Sequence, residues 1–157
     1  MRKLGLKECC AETQSLVSGE GPNSARVMLV GQNPGIEEER QGRPFVGLAG
    51  KYLTTILEKN GLNRRDLYIT NIVKCRTPQN RKPTSKEIED CLPVLLEEID
   101  KIKPELIVLL GNVARNTPRL DNINYIETYH PAAARRFPRF RRKFEADIAR
   151  IKKEYQD

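Results

Sequence analysis

The chain contains a single histidine, His130, followed directly by Pro131. An imidazole can donate, accept or carry a proton near neutral pH. Two side-chain amides, Gln32 in GQNPG and Asn71 in YITNIV, can each pair a donor with an acceptor along a flat polar edge. Phe45 in GRPFVG offers a ring for stacking. Glu37, Glu38 and Glu39 offer carboxylates for acid–base work. Each has a plain structural alternative. His130 can be a turn histidine before proline, Asn71 a polar residue closing a strand, Phe45 a core residue, and the glutamates a solvated acidic turn.

Charge narrows the partners. The 157 residues carry a formal net charge of +7, and it is unevenly spread. Residues 130–143 hold six Lys or Arg and no acid, and residues 71–86 hold five and no acid. Such clustering is the footprint of a polyanion binder or, more plainly, a solvated basic face. No apolar run approaches the length of about 18 residues that a membrane span needs, so no membrane association is expected. The opening MRKLGLKECC is too short and too charged for a secretory signal, and a cytoplasmic location is expected. In a reducing compartment, Cys9, Cys10, Cys75 and Cys91 point to metal ligation or burial rather than disulfides.

The elements that must position these residues alternate. Apolar runs at 25–30, 66–73, 105–111 and 123–129 predict strands. Helical spacing predicts helices over 49–59, from Thr84–Ser85 to about Lys101, and over 138–155. Thr84 and Glu87 are set to form a capping box, and Pro93 predicts a kink or a break. In the last helix, Phe140, Phe144, Ile148 and Ile151 form the apolar stripe. The expected fold is α/β, a three-layer α/β/α sandwich of one domain over residues 1–157, with a central four-stranded, mainly parallel sheet. In such folds ligands bind beyond the carboxyl ends of the strands. Gln32, Asn71, Gly111 and His130 all fall at those ends, so folding is expected to gather them on one rim.

Three segments, GQNPGIEEERQGRPFVGLAG at 31–50, YITNIVKCRTPQNR at 68–81 and YHP at 129–131, together closely resemble the family 4 uracil-DNA glycosylases. The resemblance runs from about Gly19 to the C-terminus. It implies a DNA repair enzyme that flips uracil out of DNA and hydrolyses its N-glycosidic bond, leaving an abasic site without strand cleavage. By this resemblance, Gly31, Asn33, Pro34, Gly35, Phe45 and Asn71 form the base pocket. Phe45 stacks on the base, and Asn71 donates to uracil O4 while accepting from N3–H, which cytosine cannot match. His130 donates to O2 as negative charge develops on the leaving ring. The family usually carries Glu where this chain has Gln32. An amide can position water but carries no charge, so Glu38 is the expected water-activating carboxylate.

The resemblance extends to DNA and to a cofactor. Lys74, Arg76, Arg81 and Lys82 of the basic loop, with Arg135, Arg136 and Arg139 after the HP motif, are the expected DNA contacts. Arg135 is the expected wedge where an apolar residue is usual, and Arg141 and Arg142 are further phosphate contacts. Family members carry a four-cysteine [4Fe-4S] cluster. Cys75 and Cys91, with fifteen residues between them, match the later ligand pair. Cys9 and Cys10 are adjacent rather than spaced as C-x2-C, which requires an unusual backbone bend. The expected state is a monomer acting on uracil-containing DNA, with a sliding clamp as a further candidate partner. Two competing readings remain: a reader of damaged DNA that lost activity with Gln32 or changed its base preference, and a small-molecule enzyme using the 31–35 loop for phosphate. The absence of a P-loop lysine weakens the second.

Overall fold

The computed structural model describes residues 9–10 and 15–155. The segment read as lacking a secretory signal therefore lies mostly outside the described residues. Four strands form one sheet: β1 (Val27–Gly31), β2 (Tyr68–Asn71), β3 (Leu106–Leu110) and β4 (Asn124–Thr128). Their order is β2-β1-β3-β4, and every pair is parallel. Among the described residues five α-helices surround them: α1 (Ile36–Gln41), α2 (Leu48–Lys59), α3 (Ser85–Ile102), α4 (Pro131–Arg136) and α5 (Pro138–Tyr155).

The unbroken apolar runs explain the layering. All five residues of β1 and all five of β3 are buried, so both sheet faces must be covered. Successive side chains of β1 point to opposite faces. Val27 and Leu29 pack with Leu53 and Leu57 of α2 and with Phe144 and Ile148 of α5. Met28 and Val30 pack with Leu95, Ile99 and Ile102 of α3. Each such side chain stabilises the fold by about 1.5–3 kcal/mol when fully buried. The expected α/β/α sandwich is the fold observed. Among the described residues no helix is long and apolar enough to cross a membrane.

Helix α3 opens on the expected capping box. Thr84 Oγ1 accepts from the Glu87 amide at 3.2 Å, and Glu87 Oε1 accepts from the Thr84 amide at 2.9 Å. Pro93 does not break the helix, which runs as one 18-residue element. Proline removes one hydrogen bond, but the buried stripe of Cys91, Val94, Leu95, Ile99 and Ile102 holds the helix on the sheet across that gap. Two short helices were not legible as periodic runs. α1 contains the three glutamates, and α4 holds the alanines after His130. In α5, Phe144, Ile148 and Ile151 are buried as expected, whereas Phe140 is half-buried and stacks on Tyr129 at 4.4 Å.

Strand β1 lies between β2 and β3, so the connections leave it in opposite directions. That switch point opens a crevice at the carboxyl ends of the strands. Gly31 ends β1 and Asn71 ends β2, and the two are direct partners in register. Gly111 follows β3, and His130 follows β4 after one residue.

Candidate active site

The register that pairs Gly31 with Asn71 sets the centre of the site. Asn71 is 3% exposed, and its Oδ1 has no hydrogen-bond partner. A buried acceptor left unmade costs about 1–3 kcal/mol, so its position calls for a ligand N–H. Gly31 makes room for it. A Cβ at Gly31 would lie 2.6 Å from Asn71 Oδ1 and would collide with the Phe45 ring. Phe45 and Asn71 Oδ1 thus converge on a position that carries no side chain.

Phe45 reaches this place through an unusual backbone. Its φ is +53°, a left-handed conformation that costs a bulky residue on the order of 1–3 kcal/mol. Two features hold it. Gly50 of α2 packs against the Phe45 carbonyl, where any Cβ would clash. Arg64 donates from Nη1 to the Phe45 carbonyl at 2.6 Å and from Nη2 to the Pro44 carbonyl at 2.5 Å. The Phe45 ring lies 5.8 Å from the His130 ring, tilted by 32°.

His130 is the N-cap of α4. Its Nδ1 accepts the Ala132 amide at 3.0 Å. In the neutral ring the proton therefore sits on Nε2, which is left as a donor. Burial lowers its pKa from 6.5 to about 4, against the opposing pull of the Glu38 carboxylate. The ring is neutral at physiological pH.

The 31–35 loop is tied to the second strand. The Gly31 and Gln32 carbonyls accept from the Ile72 and Val73 amides, each at 3.0 Å. Half-buried Gln32 donates from Nε2 to Asn33 Oδ1 at 3.1 Å, Asn33 donates to the Pro34 carbonyl, and Pro34 is buried. Glu38 differs from its expected role as a free water-activating base. Its Oε1 accepts the Gly35 amide at 2.9 Å, and its Oε2 accepts Val46 at 2.9 Å and Gly47 at 2.8 Å. With three peptide donors aimed at it, the carboxylate pins two loops together.

The four cysteines converge as expected. Cys9, Cys75 and Cys91 are buried, and their Sγ atoms lie within 4.8 Å of one another, a set able to hold a metal ion. Cys10 Sγ lies 3.8 Å from Cys9 Sγ. The sulfurs meet in two pairs at disulfide distance, Cys9 with Cys91 and Cys10 with Cys75, which departs from the expectation of cysteines without disulfides. Cys9, Cys75 and Cys91 thus bring three buried sulfurs to one point, with the half-buried Cys10 beside them. The Lys74 amide points at Cys91 Sγ at 3.4 Å, the kind of peptide contact that ligated sulfur receives. The donor set thus fits an all-sulfur metal centre, and the adjacency of Cys9 and Cys10 does not prevent convergence.

The basic residues divide. Lys74 is fully buried and corrects the expectation of a DNA contact. Its Nζ donates to Thr70 Oγ1 at 2.6 Å and to Glu98, and burial lowers its pKa. Glu98 also accepts from Tyr68 at 2.8 Å and from the Gly19 amide at 2.9 Å. Arg141 braces the chain by donating to the Ala134 and Arg135 carbonyls. Arg76 is half-buried beside Asn80 and Glu39, and Arg81 pairs with Glu87. Lys82, Arg135, Arg136, Arg139 and Arg142 are exposed. Sequence reasoning missed two residues. One is Arg64, which lies in a basic turn with no motif to flag it. The other is Phe137, 42% exposed just after α4, with Arg136 and Arg139 over its ring at 5.6 and 5.9 Å.

Comparison with known proteins shows the family of the chain. The family profile of the uracil DNA glycosylase superfamily matches residues 18–152. The chain is 40% identical over 159 residues to a type-4 uracil-DNA glycosylase of Pyrobaculum aerophilum, covering 87% of this chain and 81% of that protein. It is 38% identical over 158 residues to the Archaeoglobus fulgidus type-4 uracil-DNA glycosylase, covering 86% and 79%. With the Thermotoga maritima type-4 uracil-DNA glycosylase it shares 46% identity over 114 residues, 69% of this chain and 59% of that one. The chain, whose crevice holds Asn71 and Phe45 at Gly31 and His130 beside the Phe45 ring, is therefore a member of the uracil DNA glycosylase superfamily and belongs to its type-4 branch.

Proposed function

We propose that the protein excises uracil from DNA by hydrolysing the N-glycosidic bond. The unpartnered, buried Oδ1 of Asn71 facing the side-chain-free Gly31 carries this reading. A flipped uracil supplies the missing N–H from N3, and the Asn71 amide donates to O4. Cytosine presents an acceptor at N3 and an amine at C4, so the same amide opposes it. Phe45 stacks on the ring. As the C1′–N1 bond breaks, its electron pair moves onto uracil, and Nε2–H of His130 donates to O2. Water adds to C1′ and loses a proton, and uracil leaves as the protonated base. Gln32 positions that water by hydrogen bonds. The four-cysteine centre is proposed to hold a [4Fe-4S] cluster when reduced. When bound, such a group supplies a structural link between the N-terminal segment and the basic loop.

One observation favours a second reading, a catalytically weak or inactive binder of deaminated bases in DNA or a glycosylase with a different base preference. Gln32 carries no charge, and the Glu38 oxygens are engaged by three amides. A single experiment separates the readings. Single-stranded and duplex oligonucleotides carrying one uracil are incubated with the protein and then treated with alkali. Cleavage at uracil with multiple turnovers supports excision. Tight binding without cleavage, or cleavage only at another deaminated base, supports the second reading.

A further inference from the structure

Phe45 is held in a strained conformation, and the group that holds it sits outside the pocket. The Arg64 side chain is 15% exposed and comes from the turn Arg64–Asp66, before β2. Its guanidinium spans two consecutive carbonyls, Pro44 and Phe45, and Nη1 also donates to Thr54 Oγ1 of α2 at 3.0 Å. These are the carbonyls flanking the residue at φ +53°. The charge is balanced by Glu20, 3.8 Å from Nη2, which Arg43 binds at 2.7 and 2.9 Å. Glu20 is in turn fixed to β2 through mutual backbone hydrogen bonds with Ile69. A chain of contacts therefore runs from the sheet through Glu20 and Arg64 to the Phe45 backbone, and through its ring to Gly31 and His130.

We propose that Arg64 is a positioning residue for base recognition: its two-carbonyl clamp keeps the Phe45 ring over Gly31 in the orientation that stacks on a flipped base. This rests on the reading of Phe45 as the stacking ring. The planar fork is essential to it. A lysine ammonium is a point charge on a flexible stem and cannot reproduce the paired geometry. Loss of the clamp releases the strained peptide, and the ring is free to leave the pocket while the fold persists.

The test is a double-mutant cycle on excision from a single-stranded uracil oligonucleotide, with inhibition by free uracil measured alongside. Arg64→Ala and Arg64→Lys should each lower kcat/KM by roughly ten- to hundredfold, the scale of lost hydrogen bonds to a charged donor, with Arg64→Lys the milder. Inhibition by free uracil should weaken by a similar factor, which a purely structural role would not produce in folded enzyme. The Phe45→Ala/Arg64→Ala double variant should be no more than about twofold slower than Phe45→Ala, because residues acting as one unit are not additive. The cleft behind Phe45, lined by Arg43, Lys51, Thr54 and Arg64, is open to solvent. Methylguanidinium should therefore partly restore Arg64→Ala. Multiplicative losses in the double variant, or an unchanged uracil affinity in both Arg64 variants, overturn the proposal. A Phe45→Ala enzyme with the parent rate removes the pocket reading itself and the proposal with it. If Arg64→Ala does not fold, Arg64→Lys carries the same cycle.

Discussion

At the scale of single residues, Asn71 and His130 carry the most specific chemistry. Removing one donor aimed at developing charge typically lowers the rate by about a hundred- to a thousandfold. Asn71→Ala and His130→Ala are each expected to fall in that range in single-turnover assays, and near-normal rates in both would sink the site assignment. His130 also sets a pH profile. Its pKa is lowered from 6.5 to about 4, so the ring stays neutral across the ordinary histidine range. The rate should show no histidine inflection near 6.5 and should fall only near 4, where a proton on Nδ1 removes the cap on the Ala132 amide. The linkage has a definite sign. Between about 4 and 6.5 the unfolded chain binds a proton at His130 that the folded chain does not. Stability therefore drops as pH falls through that window and is unaffected by this group above it. An inflection near 6.5 that His130→Ala removes would contradict the neutral-donor reading. Gln32→Glu tests the missing charge, because a carboxylate there can offset positive charge on the sugar. A faster variant is expected, and an unchanged or slower rate would show that the amide already suffices.

At the scale of elements, two charged residues are engaged within the protein, Glu38 by three backbone amides and Lys74 by a buried ion pair. Glu38 joins the start of α1 to the Val46–Gly47 turn. Glu38→Gln turns one oxygen into a donor that faces amide donors, leaving groups unpaired at about 1–3 kcal/mol. A lowered Tm is expected, with a smaller change in kcat than the loss of a catalytic base produces. A large kcat loss at unchanged Tm would instead restore Glu38 as the base. Lys74 neutralises Glu98 in the layer between β2 and α3. Breaking a buried pair from one side costs about 3–5 kcal/mol. Lys74→Ala should show that loss in denaturant unfolding, whereas a phosphate contact would show weaker DNA binding at full stability. Lys74 was misread from sequence for a physical reason: a charged side chain in a polar segment carries no mark of whether folding buries it.

At the scale of the whole molecule, exposed positive charge gathers at the end of α4 and in the first turns of α5. Arg135, Arg136, Arg139 and Arg142 lie on one short stretch, and each phosphate contact adds about 0.7 to the salt slope on single strands and about 0.9 on duplex. Arg139→Ala is expected to reduce the slope of log Kd against log salt by close to one contact, measured by fluorescence anisotropy. An unchanged slope would place DNA elsewhere. Phe137 supplies an exposed apolar group next to Arg135, and Phe137→Ala is expected to lower activity on duplex more than on single strands.

The sequence alone determined the layer architecture, because strands without polar alternation must be covered on both faces. It also determined the strand ends at which Gln32, Asn71 and His130 stand, since these follow from run lengths and from Gly31 and Pro131. The capping box of α3 was equally local. What only the tertiary structure decided depends on distance through space. The register that sets Asn71 beside Gly31 is one such feature, and the convergence of four cysteines separated by up to 82 positions is another. Burial of Lys74 and capture of Glu38 by three amides belong with them. The grip of Arg64 on the peptide of Phe45 is the clearest case. No pattern in a basic turn shows which carbonyls a guanidinium will meet, because that partner is chosen by the packing of α2 against the sheet and not by any neighbour in the chain.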